Sequence, residues 1–261
     1  IGGIAVRDAA RPRPGIDPAL LTVDAAALVA DPSIDVIVEV MGGIEPARDL
    51  LLAAIAAGKP VVTANKALLA ECGADLFAAA DAAGVDLLFE AAVAGGIPIV
   101  RPLRESLLAE PIDVAMGIVN GTTNYILTRM TESGASYADA LAEAQSLGYA
   151  EADPSADVDG HDAAAKLAII ASIAFGAAVT IDDVAAEGIS SVTPRDIAFA
   201  KGHGYVVKLL AIAERRADVA DAPVSVRVHP TLVPAAHPLA GVRDSFNAVF
   251  VHGDAVGDLM F

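Results

Sequence analysis

Short apolar runs alternate with longer amphipathic stretches from the start of the chain to residue 96. The runs end in glycine or polar residues, a pattern that is typical of buried parallel strands followed by loops. Asp24 is placed to cap the first helix, and Pro46 and Gly58 mark the start and end of the second. Strands, each with the loop that follows it, are predicted within residues 1–6, 35–43, 60–66 and 86–96, and helices at 24–30, 45–59 and 67–85. This alternation indicates an α/β fold with a partial Rossmann-like, doubly wound parallel sheet.

The pattern changes beyond residue 97, where strands and helices no longer alternate. A strand of an exposed sheet, two helices, a long apolar helix and two further β segments are predicted at residues 112–121, 122–134, 136–149, about 162–176, 222–234 and 246–261. The last segment contains a Gly-Asp turn, which favours a hairpin. We therefore predict a nucleotide-binding type of domain at residues 1–97 and an α+β domain at residues 98–261.

The charge balance excludes one class of partner. The formal net charge is -17, and a nucleic-acid partner requires a basic face, so we expect no nucleic-acid binding. The hydrophobic fraction is 55%, but the uncharged run at residues 167–181 contains serine, glycine and threonine. That run is shorter than the roughly 20 apolar residues that cross a bilayer, so we predict a buried helix and no membrane association.

A single cysteine, Cys72, excludes an internal disulfide framework and fits a reducing compartment. The first residues lack the basic and apolar regions of a signal peptide, so we expect a cytoplasmic protein. The chain opens inside an apparent strand and closes in the second arm of an apparent hairpin. We therefore expect it to be a fragment of a longer protein.

Polar residues and glycines follow three of the predicted strands, where open α/β sheets bind their ligands. Arg7 either binds the 2′-phosphate of an adenosine ribose or is a solvated surface residue. Gly42, in a Gly-Gly pair, either lets the backbone approach a cofactor or forms a simple turn. Thr63 and Lys66 follow the third strand. The lysine either holds a phosphate or carboxylate or polarises a carbonyl, or it lies in water.

The fourth predicted strand ends at Glu90, and Gly95 and Gly96 follow it before Pro98. A loop with uncovered carbonyl groups at this point could bind a monovalent or hard cation. The alternative interpretation is a domain junction.

The densest group of acidic residues precedes the long apolar helix and consists of Glu151, Asp153, Asp157, Asp159 and Asp162. Lys166 follows Asp162 at i+4, so the two side chains share a helix face. An exposed pair of this kind would contribute only about 0.3–0.5 kcal/mol. Lys166 borders on an almost wholly apolar helix, where desolvation would lower the pKa of a lysine towards the range for proton transfer. A calcium loop is the disfavoured alternative, because the spacing lacks the EF-hand order.

Four stretches, in this order, resemble the homoserine dehydrogenase family: "VTANK" at residues 62–66, "FEAAVAGGIPIV" at 89–100, "GIVNGTTNYILT" at 117–128 and "GYAEADPSADVDGHDAAAKLAI" at 148–169. The resemblance implies interconversion of L-homoserine and L-aspartate 4-semialdehyde with NADP or NAD, in the biosynthesis of threonine, methionine and isoleucine. It also implies a nucleotide-binding domain followed by a substrate and dimerisation domain, and assembly as a homodimer or homotetramer.

The resemblance also implies roles for individual residues. Lys166 would give and take the proton of the substrate oxygen, and Lys66 would be a second lysine near the nicotinamide. Substrate-binding acids would be Glu151, Asp157 and Asp162, and a monovalent cation (sodium or potassium) would bind at Glu90, Val93, Gly95 and Ile97. The candidates for cofactor binding are Arg7, Gly42, Thr63 and Lys66.

One feature departs from the family pattern: the chain contains no G-x-G-x-x-G loop for a pyrophosphate. We therefore expect the whole protein to be an active dehydrogenase and these residues alone to be inactive. An alternative is a module that acts only in assembly. A second alternative is another semialdehyde-handling dehydrogenase with a nucleophilic cysteine, but Cys72 lies in an alanine-rich helical stretch and is better explained as a packed small residue.

Overall fold

The computed structural model describes residues 1–216 and 222–261, which form two compact units, residues 1–89 and 90–261. The loop at residues 90–97, which the sequence analysis includes in the first domain, is grouped with the second unit. Among the described residues, no helix has the length and apolar character that crossing a membrane requires.

The first unit contains two small parallel sheets and three helices. Its strands are β1 (Ile4–Ala5), β2 (Leu21–Thr22), β3 (Ile37–Glu39), β4 (Val61–Thr63) and β5 (Leu87–Leu88). Its helices are α1 (Ala25–Ala30), α2 (Ala47–Ala56) and α3 (Lys66–Ala83). β1 pairs with β2, and β3, β4 and β5 pair in that order, all in parallel. The predicted parallel α/β arrangement is therefore confirmed.

Side-chain caps begin two of these helices, and the sequence pattern predicts the first of the two, at Asp24. Asp24 accepts a hydrogen bond from the backbone N–H of Ala27 at 2.9 Å and starts α1. Asn65 accepts one from the N–H of Leu68 at 3.1 Å and starts α3. These bonds satisfy N–H groups that have no partner within the helix. Lys66 is consequently the first residue of α3 and not part of a loop.

The predicted burial of the strands at residues 1–6 and 35–43 is wrong on one point. Val38 and Val40 are 64% and 74% exposed, whereas Glu39 between them is buried. Successive strand side chains point to opposite faces, and in the described structure only one face of β3 is covered. Ile1 is likewise exposed. A continuous β-branched run therefore identified the strand correctly but overstated its burial.

The second unit is built on a six-stranded mixed sheet. Its strands are β6 (Ile112–Ile118), β7 (Ala185–Ala186), β8 (Tyr205–Arg215), β9 (Val224–Pro234), β10 (Ala248–Gly253) and β11 (Gly257–Met260). The order is β11-β10-β6-β8-β9-β7, and every pair is antiparallel except β7 with β9. The predicted α+β character and the β10–β11 hairpin are confirmed. The strand predicted at residues 112–121 is the shorter β6, which lies inside the sheet between β10 and β8.

Within the described part of this unit, five α-helices accompany the sheet: α4 (Gly121–Ser133), α5 (Tyr137–Ser146), α6 (Ser155–Val158), α7 (His161–Phe175) and α8 (Pro194–Gly202). Short 3-10 turns lie at Pro18–Leu20, Glu90–Ala92, Ile181–Asp183 and Pro238–Gly241, and one π turn lies at Pro102–Ser106. The sequence pattern predicts α4, α5 and α7 but not α6, α8, β7 or β8. α7 packs on β6, β8 and β9, which explains why most of its residues are buried.

Two glycines, Gly160 and Gly188, allow tight packing between two segments. One is the turn from α6 into α7, and the other is the segment between β7 and α8. Gly160 begins α7 with φ +86°, a conformation that side chains other than glycine rarely adopt. A Cβ atom at Gly188 would lie 2.2 Å from the carbonyl oxygen of Val158. The N–H of Ile189 donates to that same carbonyl at 2.8 Å. This packing fixes where the first turn of α7 begins.

Candidate active site

An ion pair between Asp162 and Lys166 lies at the start of α7. Lys166 Nζ donates to Asp162 Oδ2 at 2.7 Å and to the carbonyl oxygen of Val119 at 2.7 Å. The two side chains are 15% and 5% exposed, for the lysine and the aspartate respectively. The pair that the i+4 spacing predicts is therefore present, and it is largely removed from solvent. A solvated surface pair, the weaker alternative, is excluded.

A buried asparagine holds both of the inward-facing carboxylates. Asn120, at the end of β6, donates from Nδ2 to Asp157 Oδ1 at 2.7 Å and to Asp162 Oδ2 at 2.9 Å. Its side-chain oxygen accepts from the backbone N–H of Thr123 at 2.9 Å, so the same residue is the N-cap of α4. Asn120 thus joins β6, α4, α6 and α7 at one point.

The carboxylate of Asp157 has a second partner, which is a hydroxyl group. The Thr122 hydroxyl lies 3.0 Å from Asp157 Oδ2 and 2.6 Å from the carbonyl oxygen of Tyr149. A carboxylate can accept about four hydrogen bonds, so these contacts leave Asp157 capacity for a cationic ligand. Asp157 and Asp162 therefore form a carboxylate pair that is held by neutral donors on one side.

The other acids of this stretch do not converge on the pair. Glu151, Asp153 and Asp159 are exposed. Asp153 accepts from the N–H of Ser155 at 3.1 Å, and hydrogen bonds from Ser155 lower the pKa of Asp153. Within residues 1–216 and 222–261, no group of three or more histidine, cysteine, aspartate or glutamate side chains could hold a metal ion. The disfavoured calcium loop accordingly gains no support.

In the first unit, a buried glutamate organises the loop after β3. Glu39 accepts from the N–H groups of Met41 at 2.6 Å and Gly42 at 3.2 Å, and from the Thr63 hydroxyl at 2.6 Å. Asn65 Nδ2 donates to the carbonyl oxygen of Gly43 at 2.6 Å. Glu39 and Asn65 therefore tie the ends of β3 and β4 together.

This loop has the properties of a backbone platform. Gly42 and Gly43 have φ values of +76° and +77°, and a Cβ atom at either position would meet open space. Thr63 is buried, with its hydroxyl engaged by Glu39, whereas Arg7 is exposed just after β1. The half-buried Lys66 lies at the first position of α3. The proposed cofactor contacts of these residues remain predictions.

The loop proposed to bind a cation begins the second unit. Both carboxylate oxygens of Glu90 accept backbone hydrogen bonds, from Val100 at 2.8 Å and Arg101 at 3.1 Å. Val93 is buried, and Gly95 has φ +63°. The N–H of Ile97 donates to the carbonyl of Ala94 at 3.2 Å. Because amides occupy the Glu90 carboxylate, a cation here would depend chiefly on loop carbonyl groups.

The two units match two models of one family. Residues 98–261 match the model described as "Homoserine dehydrogenase", and residues 1–90 match the one described as "Homoserine dehydrogenase, NAD binding domain". The chain belongs to the homoserine dehydrogenase family. The resemblance stated from the sequence is therefore confirmed.

Individual relatives agree with this assignment. A homoserine dehydrogenase of Corynebacterium glutamicum is 58% identical over 100% of this chain, which spans 59% of that relative's length. The crystal structure of a homoserine dehydrogenase from Thiobacillus denitrificans superposes with a TM-score of 0.87 at 52% identity, over 92% of this chain and 55% of that one. A hyperthermophilic archaeal homoserine dehydrogenase in complex with NADPH has a TM-score of 0.75 at 30% identity, over 91% of this chain and 67% of that one.

The environment of Cys72 argues against a nucleophilic thiol. Cys72 is half-buried within α3, and desolvation, followed by the charge of Glu71, raises the pKa of its thiol. A nucleophilic cysteine needs a stabilised thiolate, and both influences oppose one. This agrees with the interpretation of Cys72 as a packed small residue.

Sequence reasoning missed Glu39, Asn120 and Thr122 as organisers of these two regions. The signal for part of the Asn120 role was present, because an asparagine before a helical stretch is a favoured N-cap. Its contacts with Asp157 and Asp162 span 37 and 42 residues of sequence, and no local pattern indicates them. Glu39 carried no signal, since a buried acid within an apolar strand is rare.

Proposed function

We propose that this protein catalyses the reversible, NAD(P)-dependent oxidation of L-homoserine to L-aspartate 4-semialdehyde. The observation that carries the proposal is the largely buried Asp162–Lys166 pair with its 2.7 Å contact. A second carboxylate, that of Asp157, lies next to this pair. Membership of the family supports the same reaction. The chain spans 59% of its Corynebacterium relative, so the activity is proposed for the protein and not for these residues alone.

Lys166 is the proposed proton-transfer group. An amine that accepts the hydroxyl proton of homoserine, as the hydroxyl carbon loses a hydride, becomes an ammonium with three N–H groups. The described contacts use two of these, to Val119 and Asp162, so the third can bind the substrate oxygen. In the reverse direction the same group returns the proton. Asp162 orients the amine and stabilises its charged form.

The acidic residues are the proposed binding site for the amino group of the substrate. Asp157 and Asp162 carry two negative charges, and Lys166 offsets one of them. Carboxylates of this kind form charge-assisted hydrogen bonds with a substrate ammonium. Glu151 precedes this pair in the sequence, and its side chain is exposed. Its backbone carbonyl accepts a hydrogen bond from Gln145 Nε2 at 3.1 Å. Lys66 belongs to the other unit, and its part in the chemistry stays a prediction.

The proposed cofactor is NADP or NAD, which when bound accepts or supplies the hydride. Residues 1–90 match the NAD-binding model of the family, and the archaeal relative was crystallised with NADPH. The fit of the first unit is supported by the open Gly42–Gly43 loop and by the exposed Arg7 at a strand end. An arginine at that position favours the 2′-phosphate of NADP.

Three further parts of the proposal rest mainly on family resemblance. A monovalent cation, sodium or potassium, would bind the carbonyl groups of the loop that contains Glu90, Val93, Gly95 and Ile97. The protein would assemble as a homodimer or homotetramer. It would act in the cytoplasm, in keeping with its single cysteine.

The test is an assay of NADP⁺ reduction with L-homoserine and of NADPH oxidation with L-aspartate 4-semialdehyde, on protein expressed from its complete coding sequence. We expect activity in both directions and none with D-homoserine. The 261-residue chain alone, which lacks a G-x-G-x-x-G loop, is expected to be inactive. A folded complete protein that binds NADP but is inactive in both directions would contradict the proposal and favour the assembly alternative.

A further inference from the structure

Asn120 contacts both of the carboxylates beside Lys166, the proposed proton-transfer residue of the second unit. It is 5% exposed, and its Nδ2 donates to carboxylates from both α6 and α7. Such burial leaves it little surface to present to a substrate. Its amide therefore serves other side chains.

The orientation of this amide is determined by its own helix. Asn120 Oδ1 accepts from the backbone N–H of Thr123 at 2.9 Å and from the Thr123 hydroxyl at 2.9 Å. A backbone N–H can only donate, so the oxygen must face α4 and the two N–H groups must face the carboxylates. The cap of α4 thus sets the direction in which Asn120 donates.

Two consecutive residues, Val119 and Asn120, hold both members of the ion pair. The Val119 carbonyl accepts from Lys166, and the adjacent Asn120 donates to Asp162. Lys166 and Asn120 also share one acceptor, since both donate to Asp162 Oδ2. The carboxylate is therefore held on the lysine by a donor outside its own helix. We propose, on the basis of the function proposed above, that Asn120 is a positioning residue that holds Asp162 on Lys166 by sharing its amide between Asp157 and Asp162.

The charges around the lysine explain why a neutral donor is suited to this position. The charged groups that face Lys166 in the described contacts are Asp162 from its own helix and, through Asn120, Asp157 from α6. Two carboxylates bridged by one amide repel each other, and Asn120 offsets that repulsion without adding a charge. A cation at this position would compete with Lys166 for Asp162, and an anion would add to the repulsion.

Two substitutions separate positioning from helix capping. Serine and aspartate are both favoured N-caps, so Asn120→Ser and Asn120→Asp retain the start of α4. Serine cannot reach the carboxylates, and aspartate has the shape of asparagine but accepts where asparagine donates. Ser136→Ala is the matched control, because Ser136 caps α5 and contacts none of these residues.

The first readout is kinetic, on protein from the complete coding sequence. We expect Asn120→Ser to lower kcat for homoserine by about ten- to a hundredfold, as misplacement of a reacting group does. The pH profile of kcat should also move. The melting temperature of Asn120→Ser should fall no further than that of the control variant, Ser136→Ala. A folded Asn120→Ser protein with unchanged kcat and pH profile would show that Asn120 only caps α4.

The second readout does not require activity. Trace acetylation with acetic anhydride, read by mass spectrometry, reports the pH at which each of the five lysines becomes reactive. We expect Lys166 to become reactive at a lower pH in Asn120→Ser, because this substitution loosens its anionic partner. In Asn120→Asp we expect it to become reactive at a higher pH, because this substitution adds a negative charge. The exposed Lys201 should not change and serves as the internal reference.

The two readouts distinguish the two proposals. A complete protein without homoserine activity, in which Lys166 labelling still moves in opposite directions in the two variants, would contradict the proposed function and support the role of Asn120. Identical Lys166 labelling in all three proteins would overturn the role of Asn120, whatever the activity.

Discussion

Lys166 Nζ lies 2.7 Å from Asp162 Oδ2, one helical turn away on α7, in the second unit of the chain. The carbonyl of Val119 accepts from the same amine, and the amide of Asn120 donates to the same carboxylate. The pair is therefore held by its own helix and by the connection between β6 and α4. Such a doubly held amine is suited to move a proton without moving itself.

Replacement of Lys166 should abolish most of the activity. We expect Lys166→Ala to lower kcat for homoserine oxidation by a factor on the order of 10² or more, because the proton acceptor is lost. Circular dichroism and the oligomeric state should match those of the wild type. Lys201→Ala, at an exposed position in the last turn of α8, is the control and should keep full activity. A mild loss in Lys166→Ala would reduce the residue to a structural partner of Asp162.

Removal of the charge of Asp162 should impair the use of homoserine. Asp162→Asn keeps the shape of the side chain but removes a charged hydrogen-bond acceptor, a change of about 1.5–3 kcal/mol. We therefore expect kcat/KM for homoserine to fall by about tenfold or more, with little change in the KM for NADP. Asp153→Asn, an exposed acid of the same stretch, is the control. Unchanged homoserine kinetics would remove Asp162 from the site.

Arg7 should determine which cofactor is preferred. Arg7→Ser removes the exposed guanidinium that follows β1, and we expect the KM for NADP to rise by about tenfold while that for NAD stays constant. Side-by-side kinetics with both cofactors measure this ratio. Arg195→Ser, an exposed arginine at the start of α8, is the control. Equal changes with both cofactors would mean that Arg7 does not contact the 2′-phosphate.

Cys72 should be dispensable. Burial raises the pKa of its thiol, so a thiolate nucleophile is disfavoured at neutral pH. We expect Cys72→Ser to retain kcat within about twofold, since no role in proton or hydride transfer is assigned to it. Loss of activity in a folded Cys72→Ser protein would revive the cysteine-dependent alternative and contradict the assignment of Lys166.

Lys208 should make stability depend on pH. It is 2% exposed in β8, where its Nζ donates to Asn124 Oδ1 at 2.9 Å and to the carbonyl of Val242. Burial lowers the pKa of Lys208 from 10.5 to about 8; Arg243 acts in the same direction, and Glu132 and Asp244 oppose it. Between these two values the unfolded chain binds more protons than the folded one, so the free energy of unfolding rises with pH.

The matching experiment compares the wild type with Lys208→Met by urea unfolding. The buried charge costs on the order of 3 kcal/mol below about pH 8, and this cost is relieved as the pH rises towards about 10. We expect the wild type to gain stability over that range relative to Lys208→Met. Lys201→Met, at an exposed position, should show no such difference. A pH-independent difference for Lys208→Met would mean that Lys208 stays charged in the fold.

Local patterns were sufficient for much of the fold. The alternation of apolar runs and helical stretches predicted the parallel pairing in the first unit, and Asp24 caps α1 as predicted. The i+4 spacing of Asp162 and Lys166 predicted their contact. The cap and the ion pair join residues within about one helical turn of each other. The alternation consists of short runs that follow one another along the chain, so the order of the residues is enough to indicate all of these features.

Features that depend on distant parts of the chain were not predictable in this way. The place of β6 inside the sheet depends on β10 and β8, which come from much later in the chain and pair with its two edges. β8 itself was missed, because its continuous apolar run is compatible with either a strand or a buried helix segment. Val38 and Val40 showed the opposite error, since nothing in the described unit covers their face of β3.

The chemistry of the site divides along the same line. The residue types and spacings of the acidic stretch indicate a lysine with carboxylates before it, and this follows from sequence because helix geometry places i and i+4 on one face. Which carboxylates turn inward could not be predicted, and neither could the donor that holds them. Asp157 and Asp162 face Asn120, and Glu151, Asp153 and Asp159 do not. The packing of α6 against α4 and α7, and of α7 against β6 and β9, sets their directions.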